Sequence, residues 1–236
     1  MSLSAILTEA YHFFRNHLAQ LAVLTMPILL IQIGLQMWLG LELSKAAETQ
    51  NPQFGAPHMA AMMALLLAFS LLIAVLTVFL QLRSEGHQVT TGLVFKTGLT
   101  FVPPLLIAGV FSGLAILAPV FLFAAFGPFW LIGLVISFYL FARLAYVNFM
   151  VITERLTPMQ AIKASFAFSG GGIAFKTLTL LMLYIPLSMI GGGLVELVKP
   201  AGLPAEYLVS VVMAFIGLFV NVALFRLYMV NRQPQL

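Results

Sequence analysis

The sequence predicts an all-α membrane protein, a polytopic bundle of six transmembrane helices with short amphipathic interfacial helices on the cytoplasmic side. Three observations support this fold class. Of the 236 residues, 62% are hydrophobic and 8% are charged, whereas a water-soluble domain carries about 25% charged residues. The mean hydropathy is +1.08. Six stretches are long and apolar enough to cross roughly 30 Å of hydrocarbon at about 1.5 Å per residue.

The six predicted spans form one integral membrane domain over residues 1–236. They cover about 18–41, 59–82, 99–117, 129–151, 173–198 and 207–230. The first span is predicted to be an uncleaved helix, because it is too long for the apolar region of a signal peptide and no small-x-small cleavage site follows it. The boundary between the third and fourth spans is open. There "APVFLFAAFGPFW" is apolar throughout, and either Pro119 or Pro128 could begin the turn.

The distribution of positive residues predicts the orientation of the chain. With the amino terminus inside, only Lys45 and Lys199 lie on the outer side. The other nine cations lie in cytoplasmic segments: Arg15, Arg83, Lys96, Arg143, Arg155, Lys163, Lys176, Arg226 and Arg232. Cytoplasmic loops of membrane proteins carry an excess of Lys and Arg. We therefore expect both termini to be cytoplasmic.

A short segment precedes each pair of spans on the cytoplasmic side. The first, "SLSAILTEAYHFFRNH", has an apolar helical face formed by Leu3, Ile6, Leu7, Ala10 and Phe14. The third, "TPMQAIKASFAF", has Thr157 as a candidate N-cap and Pro158 at the first helical position. Its predicted apolar face is Met159, Ile162 and Phe166. The middle segment, "TTGLVFKTG", is shorter and its periodicity is weak.

These segments are interpreted as interfacial helices, with the alternative that they cap the bundle and touch only protein. Interfacial helices place cations beside anionic headgroups. The candidate lipid-contacting residues are Lys96, Arg143, Arg155, Lys163 and Lys176. Two lines of small residues, Gly109 with Gly113 and Ala60 with Ala64 and Ala68, are expected to pack spans within the chain rather than to form a dimer.

The sequence contains no arrangement typical of catalysis or metal binding. It has no cysteine, no pair of carboxylates at a useful spacing, and no serine with a nearby base. His12 and His17 are five residues apart, so their rings are expected to diverge around a helix. We expect no catalytic, metal or cofactor site and no enzyme activity. The cations are scattered rather than clustered, which argues against nucleic acid as a partner.

The middle of every predicted span lacks Asp, Glu, Lys, Arg and His. Ion-coupled transporters usually place an ionisable group there, so proton coupling and a charged substrate are disfavoured. The fifth span keeps transport open as an alternative. Its helix-weakening residues, Pro186, Gly191, Gly192 and Gly193, predict either a packing kink or a break of the kind that forms substrate sites in transporters.

The glycine run in "SFAFSGGGIAFKT" resembles a phosphate-binding loop but lacks its pattern. Phe175 precedes Lys176 where that motif requires glycine. We interpret the run as a junction. Gly170 ends the surface helix in a left-handed cap, Ile173 begins the fifth span, and Lys176 extends back to the cytoplasmic headgroups.

Three segments of the chain, "YHFFRNHL", "FARLAYVNFMVITERLTPMQAIKASFAFSGG" and "LFRLYMVNRQ", resemble the YciC-like family of Gram-negative inner-membrane proteins. This resemblance implies six spans and location in the inner membrane. The middle segment also resembles a wider group of membrane domains, one branch of which is fused to glycerophosphodiester phosphodiesterases. The matching positions are Arg143, Glu154, Ala161, Ile162 and Ser165. No phosphodiesterase domain is present, and the resemblance implies no catalytic residue.

The leading functional hypothesis is a non-enzymatic multi-pass inner-membrane protein. It would support envelope or lipid homeostasis through contacts with the phospholipid bilayer or with an envelope protein partner. The alternative is a permease or a flippase-like transporter of an apolar or zwitterionic molecule. The sequence leaves the substrate and the oligomeric state open.

Overall fold

The computed structural model describes residues 2–49 and 55–232, which fold into helices and contain no strand. Gln233, the last residue of the third family-like segment, lies outside these ranges. The ten α-helices are α1 (Leu3–Asn16), α2 (Leu18–Thr49), α3 (Ala56–Ser84), α4 (Thr91–Ala124), α5 (Trp130–Leu144), α6 (Val147–Thr153), α7 (Pro158–Phe168), α8 (Gly172–Leu181), α9 (Tyr184–Val198) and α10 (Leu203–Asn231).

Six helical segments are long and apolar enough to cross a membrane, which confirms the predicted fold class. They are Leu18–Glu48, Ala56–Ser84, Thr91–Ala124, Gly127–Thr153, Gly172–Ala201 and Leu203–Asn231. Each contains one predicted stretch and extends beyond it. Four spans are single helices, whereas the fourth consists of α5 and α6 and the fifth of α8 and α9. The chain is a multi-pass membrane protein.

The turn between the third and fourth spans is at Pro128 rather than at Pro119. Helix α4 continues through Pro119 and ends at Ala124. Gly127 then adopts a φ of +71°, a conformation that costs glycine little because it has no Cβ. Pro128 follows within a short 3-10 turn that leads into α5.

Helices α2, α3 and α4, the pairs α5–α6 and α8–α9, and α10 pack side by side around a closed ring, with α10 returning to contact α2. Since the number of spans is even, both ends of the spanning region lie on one side. We call this the terminal side. The spans begin or end there at Leu18, Ser84, Thr91, Thr153, Gly172 and Asn231.

The core of the bundle lies in its terminal half. In α3, every residue from Leu72 to Leu80 is buried. In α4, the buried residues are Val94, Gly98, Leu105 and Ala108, and none lies beyond Ala108. Helix α9, on the opposite side, buries only Gly191. The opposite half is therefore loosely packed and presents apolar side chains to the surrounding lipid.

Two of the three predicted surface segments are separate helices on the terminal side, and the middle one is not. The segment at 90–98 is continuous with α4, which begins at Thr91, because no residue there ends the helix before the third span. The apolar face of α1 is turned toward protein. Ile6 and Ala10 are buried, and the Phe14 ring lies 5.4 Å from that of Phe215 on α10.

Helix α7 begins as predicted, with Thr157 as N-cap and Pro158 in its first turn. Ile162 and Phe166 of its predicted apolar face are partly buried against the core. Met159 is 51% exposed, while Ala161 and Ser165 are fully buried. Helix α7 therefore packs on the bundle through its small side chains together with Ile162 and Phe166.

The glycine run is a junction between α7 and α8, but its left-handed residue is Gly171 rather than Gly170. Helix α7 ends at Phe168, and Ser169 follows it with φ −80°. Gly171 has φ +56° and Gly172 begins α8. Lys176 lies in the second turn of α8, on the terminal side.

Among the glycines of the described spans, Gly133 lies closest to the backbone of a neighbouring span, and the predicted pair Gly109 and Gly113 does not make such a contact. A Cβ on Gly133 would lie 2.5 Å from the carbonyl oxygen of Pro119, whereas a Cβ on Gly109 or Gly113 would meet no atom within 4 Å. The Ser137 hydroxyl, one turn after Gly133, donates to the carbonyl of Ile116. Helices α4 and α5 are therefore joined through Gly133 and Ser137.

Candidate functional site

Three of the five predicted lipid-contacting cations are exposed on the terminal side. Lys96 lies in the second turn of α4, Arg155 in the loop before α7, and Lys163 on α7 itself. Lys176 is half-buried. Arg155 has φ +52°, the left-handed conformation that side chains rarely adopt. It lines a shallow groove together with Thr97 and Thr100 of α4.

The fifth cation, Arg143, is engaged with protein. Its Nη2 and Nη1 atoms donate to the carbonyls of Phe166 and Ser169, at 2.5 and 3.3 Å. Its guanidinium carbon also lies 5.3 Å from the centre of the Phe166 ring and 5.6 Å from that of Tyr139. A cation at the carboxyl end of a helix satisfies carbonyls that have no partner within the helix. Arg143 thus holds the end of α7 against α5.

Glu154, at the end of the fourth span, is also tied to the bundle. It accepts a hydrogen bond from the Tyr228 hydroxyl, and the Nε of Arg232 lies 3.7 Å away. Its side chain is 13% exposed. The Tyr228 hydroxyl also bonds Thr153. Glu154 therefore joins the end of the fourth span to the end of α10.

The fifth span is interrupted at Met182 and Leu183, and residues 186–193 continue as helix in α9. The interruption lies one turn before Pro186 because proline has no N–H to donate to the carbonyl four residues earlier. The Met182 carbonyl instead accepts from the amide of Ile185, at 3.1 Å. Gly191, Gly192 and Gly193 remain helical.

A cleft lies beside this span, between α2, α3, α9 and α10, with a volume of about 470 Å³. Its lining is mostly apolar, and no charged residue lines it. The polar side chains in it are Gln32, Tyr184, Ser188, Ser210 and Asn221. Phe69, Ser188 and Gly192 are exposed, so the cleft opens at the surface of the bundle.

The polar side chains of the cleft are only partly paired. The amide nitrogen of Asn221 donates to the Tyr184 hydroxyl at 2.9 Å. The Ser188 hydroxyl donates to the Tyr184 carbonyl at 2.6 Å. The Gln32 Oε1 atom is buried and has no hydrogen-bond partner among the described residues. An unpaired acceptor in an apolar surrounding costs about 1–3 kcal/mol.

The cleft lies at the depth of the membrane centre. Asn221 is ten residues from the end of α10 at Asn231, which is about 15 Å at 1.5 Å per residue. Gln32 is fourteen residues from the start of α2 at Leu18, or about 21 Å. Two of the predicted break residues, Gly191 and Gly192, form part of its wall. A side chain at Gly192 would project into open space.

Gln32 and Asn221 are visible in the sequence as uncharged polar residues within spans, but their convergence is not. They lie on α2 and α10, 189 residues apart. Both side chains line the cleft because of the way each helix is rotated about its own axis in the bundle, which the sequence does not specify. No family model, no curated protein and no solved structure matches this chain.

Proposed function

We propose that this chain is a non-enzymatic multi-pass membrane protein that binds a lipid in the cleft and so supports lipid or envelope homeostasis. The observation that carries the proposal is an uncharged, largely apolar cleft at mid-membrane depth with polar side chains on three of its four helices. Its apolar wall suits acyl chains. Gln32, Ser188 and Asn221 suit the hydroxyl and ester groups of a neutral or zwitterionic lipid, since ligand sites orient their ligands with a few such polar groups.

The location that accompanies this proposal is the inner membrane of a Gram-negative bacterium, with both termini in the cytoplasm. The excess of cations on the terminal side supports this orientation. Membership of the YciC-like family stays a prediction that rests on the three resembling segments.

Two adjacent glycines provide a matched test of lipid binding in the cleft. Gly192 lines the cleft and Gly193 does not, yet both lie in α9 and neither would place a Cβ within 4 Å of another group. We expect Gly192→Leu to lose the neutral or zwitterionic lipid that survives detergent washing, because its side chain fills the cleft. Gly193→Leu should retain it. Lipid extracted from both variants is measured by mass spectrometry, and equal retention would contradict the proposal.

Contacts between the exposed cations and anionic headgroups are a second part of the proposal. We expect the variant with Arg155→Asn and Lys163→Gln to bind anionic vesicles more weakly, since each cation near the surface contributes about 1 kcal/mol. Asparagine tolerates the left-handed backbone at position 155. Lys199→Gln, on the opposite side, is the control. If the double variant keeps its vesicle binding and its co-purified protein partners, these cations have no such role.

A flippase-like transporter is the second candidate, favoured by a specific observation. The fourth span is interrupted at Ala145 and Tyr146, and the neighbouring fifth at Met182 and Leu183. Paired discontinuous helices form the binding sites of many transporters. Vesicles that contain the protein and a headgroup-labelled phosphatidylcholine test this candidate. Movement of label between leaflets that stops in Gly192→Leu would support it, and no movement would reject it while leaving lipid binding intact.

A further inference from the structure

A second cavity, of about 370 Å³, lies on the terminal side and has a different chemistry from the cleft. We call it the interfacial pocket. Its walls come from α1, α3, α10 and the junction between α1 and α2. The ionisable side chains that line it are Glu9, His12, His17, Arg83 and Arg226.

Among the residues that the structure describes, the charges of the interfacial pocket leave one guanidinium without an anionic partner. Glu9 pairs with the Nε of Arg226. Arg83 donates from Nη2 to the neutral amide oxygen of Gln20, at 2.7 Å. The Nε of Arg83 is buried and has no hydrogen-bond partner among the described residues. The pocket therefore carries a net positive charge, which Arg83 supplies.

Both histidines of the first segment line this pocket. Helix α1 ends at Asn16 and α2 begins at Leu18, so His17 lies at the junction and does not continue the turn that carries His12. The His17 ring is fixed by the Phe13 carbonyl, which lies 2.9 Å from its Nδ1, and it stacks on the Phe13 ring with centres 4.4 Å apart.

The pocket is charged at the membrane boundary and apolar deeper in the bundle. Arg83 is the second-to-last residue of α3, and Arg226 lies in the last two turns of α10. One turn deeper on each helix, Leu80 and Val222 form an apolar wall. Guanidinium groups bind phosphate strongly through charge-assisted hydrogen bonds. An amphiphile with a phosphate at one end and hydrocarbon at the other fits this gradient, whereas a free anion would leave the apolar wall uncovered.

We propose that the interfacial pocket binds the headgroup phosphate of an anionic phospholipid, with Arg83 as its main contact and the acyl chains along the apolar wall. The site is separate from the uncharged cleft. Gly192→Leu should leave binding in the pocket unchanged, so the failure of either proposal can be told from the failure of the other.

Binding is measured on delipidated full-length protein in detergent, by native mass spectrometry with three probes: phosphatidylglycerol, phosphatidylcholine and inorganic phosphate. We expect phosphatidylglycerol to bind in preference to phosphatidylcholine, and Arg83→Gln to weaken it about fivefold. Arg15→Gln, which removes a cation from the same side outside the pocket, should have little effect. Three outcomes would overturn the proposal. They are equal binding of phosphatidylglycerol and phosphatidylcholine, an equal loss of phosphatidylglycerol binding in Arg83→Gln and Arg15→Gln, and full displacement of the lipid by inorganic phosphate.

A surface variant keeps the test decisive even if Arg83→Gln does not fold. Ser84 is exposed at the rim of the pocket, so Ser84→Glu adds a negative charge without disturbing the core. It should weaken binding of phosphatidylglycerol, whereas Gln88→Glu, exposed on the same side but outside the pocket, should not. If both variants bind like the unaltered protein, the pocket is not the binding site.

Discussion

The side-chain hydroxyl of Ser165 donates a hydrogen bond to the main-chain carbonyl of Arg143, at 2.7 Å. The Ser169 hydroxyl bonds the same carbonyl at 3.0 Å, and the Arg143 guanidinium returns hydrogen bonds to carbonyls at the end of α7. The carbonyls at the end of a helix have no partner within it. Here α5 and α7 satisfy each other's ends, which fixes the surface helix on the bundle.

The first prediction follows from this reciprocal contact. Ser165→Ala should lower the free energy of unfolding in detergent by about 1 kcal/mol, the usual loss for one hydrogen bond between membrane helices. Ser44→Ala is the control, because that hydroxyl bonds only within its own exposed helix turn. Thermal unfolding curves of the two variants measure the difference. Identical curves would show that the contact does not stabilise the fold.

The contact between α4 and α5 gives a second prediction. Gly133→Ala should destabilise the protein by about 1–3 kcal/mol, since its Cβ would overlap the Pro119 carbonyl and force the helices apart. Gly113→Ala should be neutral or stabilising, because its Cβ meets nothing within 4 Å and alanine favours helix over glycine. Unfolding midpoints in detergent compare the two variants. A lower unfolding midpoint for Gly113→Ala than for Gly133→Ala would mean that the packing of α4 on α5 is not as described.

Glu154 gives a third prediction. Tyr228→Phe removes a donor from a carboxylate that is only 13% exposed. Leaving a buried charged group short of a partner costs about 1–3 kcal/mol, and we expect a loss of stability of this size. Tyr11→Phe, at an exposed position on α1, should cost nothing measurable. Chemical denaturation of both variants checks the prediction, and a stable Tyr228→Phe variant would show that Glu154 depends on Arg232 instead.

The orientation of the chain gives a fourth prediction, which the absence of cysteine makes simple to test. Single cysteines at Gln88 and Ala56 lie at opposite ends of the second span. In spheroplasts, a membrane-impermeant maleimide should label Ala56→Cys and leave Gln88→Cys unlabelled until the membrane is opened. Labelling of Gln88→Cys from outside would reverse the proposed topology.

The spans were predictable because hydrocarbon selects apolar stretches of fixed length, and the start of α7 was predictable because Thr157 and Pro158 carry local capping information. The interruption at Ala145 and Tyr146 was not, since neither glycine nor proline marks it. Nor could the sequence tell Gly133 from Gly109 as the packing residue. Which face of an apolar helix contacts a neighbouring helix depends on how all six spans pack together. The position of the cleft depends on the same packing, so it could not be predicted from the sequence either.

The most direct test of the central claim is an experimental structure of the protein in lipid nanodiscs. The proposed function predicts elongated lipid density in the cleft between α2, α3, α9 and α10, with a polar group within hydrogen-bond distance of the Gln32, Ser188 or Asn221 side chain. A cleft closed by direct packing of α9 on α3, or one without lipid density while the surrounding annular lipids are resolved, would contradict it.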